Sequence, residues 1–234
     1  MGNDNFRFPI INKQHTEIGA QPVVSKTGLL YFLNSPYVKV IFMVDINLKN
    51  QTPTAWLNRV LEHFNEFLID HAANERKAAM TAMSMVAHYP DRVSLVETMI
   101  DLALEELNHF RQVVKIINQR KLIIPPDRKD PYISKLRAQF NNGSENYLLD
   151  RLLCGAIVEA RGAERLMMVS KALANKRLAK FYLSLATSEK KHYLIFLDQA
   201  SIFFEDEIIK SRLEEWQVIE GDIIKTLPTL PRLH

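Results

Sequence analysis

The chain has 234 residues, of which 47% are hydrophobic and 24% charged, and its net charge is +3. A single cysteine excludes an intramolecular disulfide and any cysteine cluster of the zinc-ribbon or rubredoxin type. The length suits one domain, the few glycines and prolines favour an all-α fold, and the small positive charge permits an acidic partner without requiring one.

The first 50 residues carry the weakest pattern. Residues 1–27 show no clear period and are expected to form an extended arm, without an apolar signal core. Residues 29–48 fit either a hairpin turning at Asn34-Ser35-Pro36 or part of a helix. The apolar run 38–44 is too short to span a bilayer, so no membrane contact and a cytoplasmic location are expected.

Helical spacing begins after Thr52, which is predicted to cap a helix with Pro53 at its first position. The pattern allows a break near residues 63–66 and ends before Tyr89. The further helices are predicted at about 92–120, 131–140, 145–174, 176–204 and 206–226.

Four of these helices are long, and an extended connection separates the second from the third. A long crossover of this kind is typical of ferritin-like four-helix bundles. The sequence therefore predicts such a bundle over residues 51–227, with an N-terminal arm (1–50) and a C-terminal tail (228–234).

Two motifs repeat the same spacing. Glu106 and His109 stand three residues apart in "EELNHF", and Glu189 and His192 do so in "SEKKHY". Three residues correspond to about 300° of helical rotation, so each pair shares one helix face.

One helix upstream of each pair, a further glutamate lies on an apolar face. Glu75 precedes Glu106 by 31 residues, and Glu159 precedes Glu189 by 30. The two halves of the chain therefore carry the same pattern in the same order.

Four carboxylates in an apolar core would cost several kcal/mol each without partners, and no matching set of buried cations is visible. Two divalent metal ions would balance their charge, and two histidines would complete the ligands. This is the arrangement of di-iron or di-manganese carboxylate proteins. The predicted ligands are Glu75, Glu106, His109, Glu159, Glu189 and His192.

Two neighbouring residues are open to more than one interpretation. His71, one turn before Glu75, could support the site from outside but is more simply a satisfied or exposed histidine. Glu105 is expected to face solvent or to support the site in the same way.

The residues on either side of the predicted ligands also resemble those of a known family. The chain resembles the tRNA 2-methylthio-N6-isopentenyladenosine hydroxylases, ferritin-like non-haem di-iron monooxygenases, over about residues 53–200. The resemblance lies in "DHAANERKAAMTAMSMVAHYP" (70–90), "LALEELNHFRQV" (102–113), "DRLLCGAIVEARGAERL" (150–166) and "FYLSLATSEKKHYLIFL" (181–197).

The resemblance implies that the chain hydroxylates the isopentenyl group on adenosine 37 in the anticodon loop of tRNA. It implies two iron ions held by the six residues, O2 as co-substrate, and an external reductase or other electron donor. Lys and Arg would contact phosphates, and the segments 120–129 and 171–180 offer Arg128, Lys129, Lys176 and Arg177.

Two alternatives remain at this point. The first is another ferritin-like di-iron protein, such as a ferroxidase, a rubrerythrin-like peroxidase or a small-molecule oxygenase; the lack of a four-cysteine site disfavours the peroxidase. The second is a helical bundle that binds metal without catalysis.

Overall fold

The computed structural model describes residues 23–24, 30–31 and 46–234. The chain divides into two compact units, the first ending at residue 44. In the first unit, β1 (Val23–Val24) pairs antiparallel with β2 (Leu30–Tyr31). The turn predicted at residues 34–36 and most of the predicted arm lie outside the described residues, so that part of the domain division stays a prediction.

The second unit is helical. It contains α1 (Thr54–Glu62), α2 (Phe64–His88), α3 (Val93–Gln119), α4 (Pro131–Arg137), α5 (Ser144–Ala172), α6 (Lys176–Phe203) and α7 (Asp206–Lys225). The predicted all-α, ferritin-like fold is confirmed. None of the helices in the described ranges combines the length and apolar character that a bilayer crossing requires.

The helix boundaries follow local chemistry, with one correction. The Asp130 side chain accepts hydrogen bonds from the first turn of α4, and the Asn175 side chain caps α6 in the same way. Gly143, at φ 95°, adopts the left-handed conformation that glycine allows before α5 begins. The predicted Thr52 cap is wrong: the N-cap of α1 is Pro53, and the Thr52 hydroxyl donates to Glu164 instead.

The helices pack as two pairs. α2 packs along α3 and α5 along α6, as the short connections between the members of each pair require, and α3 also contacts α6. The crossover between the pairs contains α4, which packs on α7. This arrangement turns one face of each long helix toward a shared interior.

One end of the bundle is closed by an apolar core. Phe67 and Leu68 of α2 pack there with Tyr182 of α6, and α1 adds Trp56 and Val60. This core shields the middle of the bundle from water on that side.

Candidate metal centre

All six predicted ligands meet at the middle of the bundle and are buried. α2 contributes one glutamate, α5 contributes another, and α3 and α6 each contribute a glutamate and a histidine from one turn. They are Glu75, Glu106, His109, Glu159, Glu189 and His192.

His109 directs its Nδ1 atom toward three carboxylates. The atom lies 3.4 Å from Glu106 Oε2, 3.5 Å from Glu75 Oε2 and 3.8 Å from Glu189 Oε1. One imidazole nitrogen therefore faces carboxylates from three different helices.

His192 has the mirrored set of neighbours. Its Nδ1 lies 2.7 Å from Glu106 Oε1, 3.5 Å from Glu189 Oε2 and 4.0 Å from Glu159 Oε2. The rings of His109 and His192 stack with centroids 5.6 Å apart.

These distances divide the six residues into two sets that share members. Glu106 and Glu189 each present one oxygen to each histidine, whereas Glu75 faces His109 and Glu159 faces His192. Ligand atoms of Glu106, His109, Glu189 and His192 lie within 4.8 Å of one another. Glu106 and Glu189 are therefore the two carboxylates that face both histidines.

The cluster is incomplete as a hydrogen-bonded network. Within the described part of the chain, both Glu106 oxygens, Glu189 Oε1 and the Nδ1 atoms of both histidines are buried without a well-aligned hydrogen bond, although His192 Nδ1 and Glu106 Oε1 lie 2.7 Å apart. Unpartnered buried groups are costly and rare. Because carboxylate oxygen and imidazole nitrogen both ligate iron, these atoms fit an iron site.

Electrostatics in the absence of metal agree with this fit. Burial lowers the pKa of His109, but contact with Glu106 and Glu75 outweighs burial and raises the pKa to about 10. Burial likewise opposes the effect of Glu106 and Glu189 on His192, whose pKa rises to about 12. Burial and the neighbouring Glu189 raise the pKa of Glu159 well above its usual range. The cluster thus carries more negative charge than its own side chains neutralise.

Two residues behind the cluster orient the ligands. The His71 imidazole is fully buried, and its Nε2 lies 2.5 Å from Glu75 Oε1. Glu105 Oε2 lies 3.0 Å from His192 Nε2, the ring nitrogen that faces away from the cluster. His71 thus supports the site rather than facing solvent, and Glu105 supports it from outside.

A cavity of about 500 Å³ opens beside the cluster. Its inner wall includes Glu75, Glu106, Glu159 and Glu189, and its lining is more apolar than polar. Gly155 shapes this wall, because a Cβ atom there would lie 2.8 Å from the Phe196 ring. The cavity gives an apolar group access to the ligands.

Basic side chains also border this cavity. They are Lys77, Arg128, Lys129, Arg137 and Arg151. The predicted pair Arg128 and Lys129 is thus next to the cluster's cavity, whereas Lys176 and Arg177 begin α6 on an exposed surface outside its lining.

The sequence pattern does not reveal the basic residues contributed by α2, α4 and α5, nor the part of the wall formed by Leu233 and His234. Each lies far from the ligand motifs in sequence, and no spacing rule connects them. Arg128 and Lys129 could be predicted from the sequence only because they lie in a run of basic residues.

The sequence of this chain is similar to one protein family and to two curated proteins. The family model described as tRNA-(MS[2]IO[6]A)-hydroxylase (MiaE) matches residues 39–234. Two curated relatives are named tRNA 2-(methylsulfanyl)-N(6)-isopentenyladenosine(37) hydroxylase. The Pseudomonas putida protein is 33% identical over 191 residues, covering 82% of this chain and 93% of the relative. The Salmonella typhimurium protein is 27% identical over 258 residues, covering 88% and 95%.

A solved structure has the same fold. It is described as protein 43 with aldehyde deformylating oxygenase activity from Synechococcus, and it is 32% identical to this chain. The match has a TM-score of 0.76 and covers 80% of this chain and 94% of the other.

Proposed function

This chain belongs to the tRNA-(MS[2]IO[6]A)-hydroxylase (MiaE) family, and we propose that it hydroxylates the isopentenyl side chain of 2-(methylsulfanyl)-N6-isopentenyladenosine in tRNA. It is an enzyme with a tRNA substrate and an iron-binding cluster. The observation that supports the reaction best is the assembled set of six ligands beside an apolar cavity bordered by basic residues.

The proposed cofactor is a pair of iron ions. Glu75 and His109 would bind one ion, Glu159 and His192 the other, and Glu106 and Glu189 both. Bound iron would supply the oxidation, in which O2, two electrons from an external donor and two protons convert a C–H bond into C–OH with release of one water. His71 and Glu105 hold the ligands in place during this reaction.

The protein places the substrate. The cavity reaches the carboxylates through a largely apolar wall, which suits a prenyl chain and excludes water from the reacting carbon. The polar atoms of the base then remain farther from the cluster than the prenyl group.

The proposed target is adenosine 37, beside the anticodon. A base in a single-stranded loop can be splayed into a pocket without breaking a duplex. The basic residues at the cavity would contact phosphates of the same loop.

The first test is turnover on tRNA. Iron-loaded protein, a reductant and isotopically labelled O2 are incubated with tRNA carrying the isopentenylated nucleoside, and the digested nucleosides are analysed by mass spectrometry. We expect one labelled oxygen atom in the side chain, and less turnover on the free nucleoside. Unaltered nucleoside in the presence of bound iron would contradict the proposed reaction.

The same assay separates a small-molecule oxygenase, the activity class of the solved neighbour. An aldehyde is offered in place of tRNA. Turnover of the aldehyde without turnover of tRNA would favour that alternative.

The two predicted basic pairs offer a test of the binding surface. Arg128→Glu with Lys129→Glu is compared with Lys176→Glu with Arg177→Glu, which reverses the same charge outside the cavity. We expect the first pair to weaken tRNA binding more and to lower the log–log salt slope by about 0.7 per lost phosphate contact. Equal losses from both pairs would mean that the cavity does not locate the anticodon loop.

A further inference from the structure

The last residues of the sequence do not trail away from the bundle. Three hydrogen bonds fix residues 232–233: Trp56 Nε1 donates to the Arg232 carbonyl, Arg165 to the Leu233 carbonyl, and the Leu233 N–H to Asp70. The three distances are 2.9, 2.8 and 2.8 Å. The segment is therefore bound by α1, α5 and α2 together.

This attachment places two side chains at the cavity. Leu233 is 5% exposed and joins the apolar core. Leu233 and His234 both line the cavity that reaches Glu75, Glu159 and Glu189. A segment that the sequence predicts as a tail thus forms part of the wall beside the ligands.

The His234 ring is held in one orientation by Tyr132. The two rings stack with centroids 5.1 Å apart and planes 12° from parallel. Tyr132 is fully buried, and its hydroxyl donates to Glu220 at 3.1 Å. The imidazole is therefore backed by a fixed aromatic surface.

Both ring nitrogens of His234 are buried and have no hydrogen-bond partner among the described residues. The other histidine nitrogens with this property belong to His109 and His192, which face the metal cluster. A buried polar group left unpaired is unfavourable. Since His234 lines the cavity, a molecule that enters the cavity can provide the partner.

The chemistry of the ring matches an adenine. Burial lowers the pKa of His234 to about 4, so the imidazole is neutral near pH 7 and offers one donor and one acceptor. An N6-substituted adenine offers an N6–H donor and ring-nitrogen acceptors, which are the complementary groups.

We propose that His234 is a substrate-positioning residue, whose imidazole hydrogen-bonds the adenine of the modified nucleoside while the prenyl chain extends toward the iron ligands. The inference rests on the proposed function. It assigns recognition of the base to the segment at residues 232–234 and leaves the chemistry to the cluster.

The test uses three variants of the iron-loaded protein. His234→Phe keeps an aromatic ring against Tyr132 but removes both nitrogens, and His234→Gln restores a donor and an acceptor. His63→Phe is the control, since His63 pairs with Glu66 at the start of α2, outside the lining of this cavity.

We expect His234→Phe to raise KM for tRNA about 3- to 10-fold, the effect of one lost hydrogen bond, with a smaller change in kcat. His234→Gln should recover most of the loss, and His63→Phe should stay within twofold of the unmodified protein. Iron content should be unchanged in all three, and Tm should not fall; a rise in Tm for His234→Phe is compatible with the proposal, because this variant removes two buried nitrogens that have no partner in the substrate-free protein among the described residues. A KM for His234→Phe within twofold of the unmodified protein would overturn the proposal, as would a loss of iron, which would assign His234 to the metal cluster.

A second measurement needs no substitution. Hydrogen exchange at the imidazole carbon between the nitrogens of His234 is followed by mass spectrometry in the unmodified iron-loaded protein. We expect slower exchange when substrate tRNA is bound, and unchanged exchange would count against the contact. Failure of the unmodified protein to hydroxylate tRNA would instead reject the proposed function, so the two outcomes are distinguishable.

Discussion

Two buried polar clusters share α5, and they differ in what neutralises them. Glu159 belongs to the metal cluster. Arg161, two residues later, belongs to a second group that we call the arginine network, formed by Arg161, Arg165, Glu164, Glu220 and Thr52. Two residues correspond to about 200° around a helix, so the two clusters lie on nearly opposite faces of α5.

The arginine network is complete within the chain. Arg161 donates to both oxygens of Glu220, at 2.8 and 2.9 Å, and to the Asn50 carbonyl at 2.7 Å. Glu164 accepts from Arg161 and from the backbone and hydroxyl of Thr52. Glu164 and Glu220 thus both accept from Arg161, while Arg165 donates to the Thr52 hydroxyl oxygen and to the Leu233 carbonyl.

The metal cluster has the reverse property. It gathers four carboxylates around two histidines and leaves several of their buried atoms unpartnered in the described part of the chain. Removing one partner from the arginine network would leave a buried charge unpaired, whereas a cluster whose carboxylates outnumber its cationic groups is suited to take metal cations from solution. On one face of α5 the buried glutamate network is paired with arginine, and on the other face the buried carboxylates are only partly paired.

The largest expected effect is in the arginine network. Glu220→Gln leaves the fully buried Arg161 without its main counter-charge, and we expect a loss of about 3–5 kcal/mol in the free energy of unfolding. Urea denaturation measures it. Glu214→Gln, at an exposed position of α7, is the control and should change stability by less than about 0.5 kcal/mol. An ordinary substitution costs about 1 kcal/mol. A loss smaller than about 1 kcal/mol for Glu220→Gln would therefore mean that Arg161 does not depend on Glu220 as its counter-charge.

Metal removal is expected to have the next largest effect. Iron binds the folded cluster in preference to the unfolded chain, and free iron at a hundred times its Kd stabilises by about 2.7 kcal/mol. Chelation should therefore lower Tm by roughly 5–10 °C for a chain of this size. An unchanged Tm after iron loss, verified by elemental analysis, would break the link between metal binding and stability.

A smaller effect is expected behind the cluster. Glu105→Gln weakens the hydrogen bond that orients His192, so metal affinity should fall about 10- to 100-fold while the fold is retained. Competition with a chromophoric chelator for ferrous iron measures the affinity. Glu97→Gln, exposed on the same helix, serves as the matched control and should bind iron as the unmodified protein does.

The smallest expected change in stability carries the sharpest contrast. Glu159→Gln is the same substitution as Glu220→Gln, but it removes a carboxylate whose pKa is raised by burial and by Glu189. We expect the metal-free variant to stay within about 1 kcal/mol of the unmodified metal-free protein, or to exceed it, while iron falls below two ions per chain. A destabilisation equal to that of Glu220→Gln would erase the distinction between the two clusters.

Much of the bundle and all six candidate ligands could be predicted from the sequence because both depend on short-range spacing. A residue and its neighbour three positions on share a helix face in any helix, so Glu106 with His109 and Glu189 with His192 are visible before folding. The repeat of about 30 residues between the paired glutamates reflects one helix and one turn. Family resemblance then added the reaction, which spacing alone could not specify.

Local pattern was insufficient where a side chain had two possible partners. Thr52 has the sequence of a helix cap, yet it binds Glu164, 112 residues away. The long-range contact wins because Glu164 accepts from both the backbone and the hydroxyl of Thr52 and also neutralises Arg161.

By itself, then, the sequence determined the helices, the crossover and the candidate ligand set, since the helices and each Glu-x-x-His pair follow from local spacing and the two halves repeat the same pattern. Only the tertiary structure decided which carboxylates are shared between His109 and His192, how the arginine network pairs, and that residues 232–234 form a wall of the cavity. These features join segments between 59 and 176 residues apart. Their partners are selected by packing and by the need to pair buried charge, and neither is encoded in the spacing of any one segment.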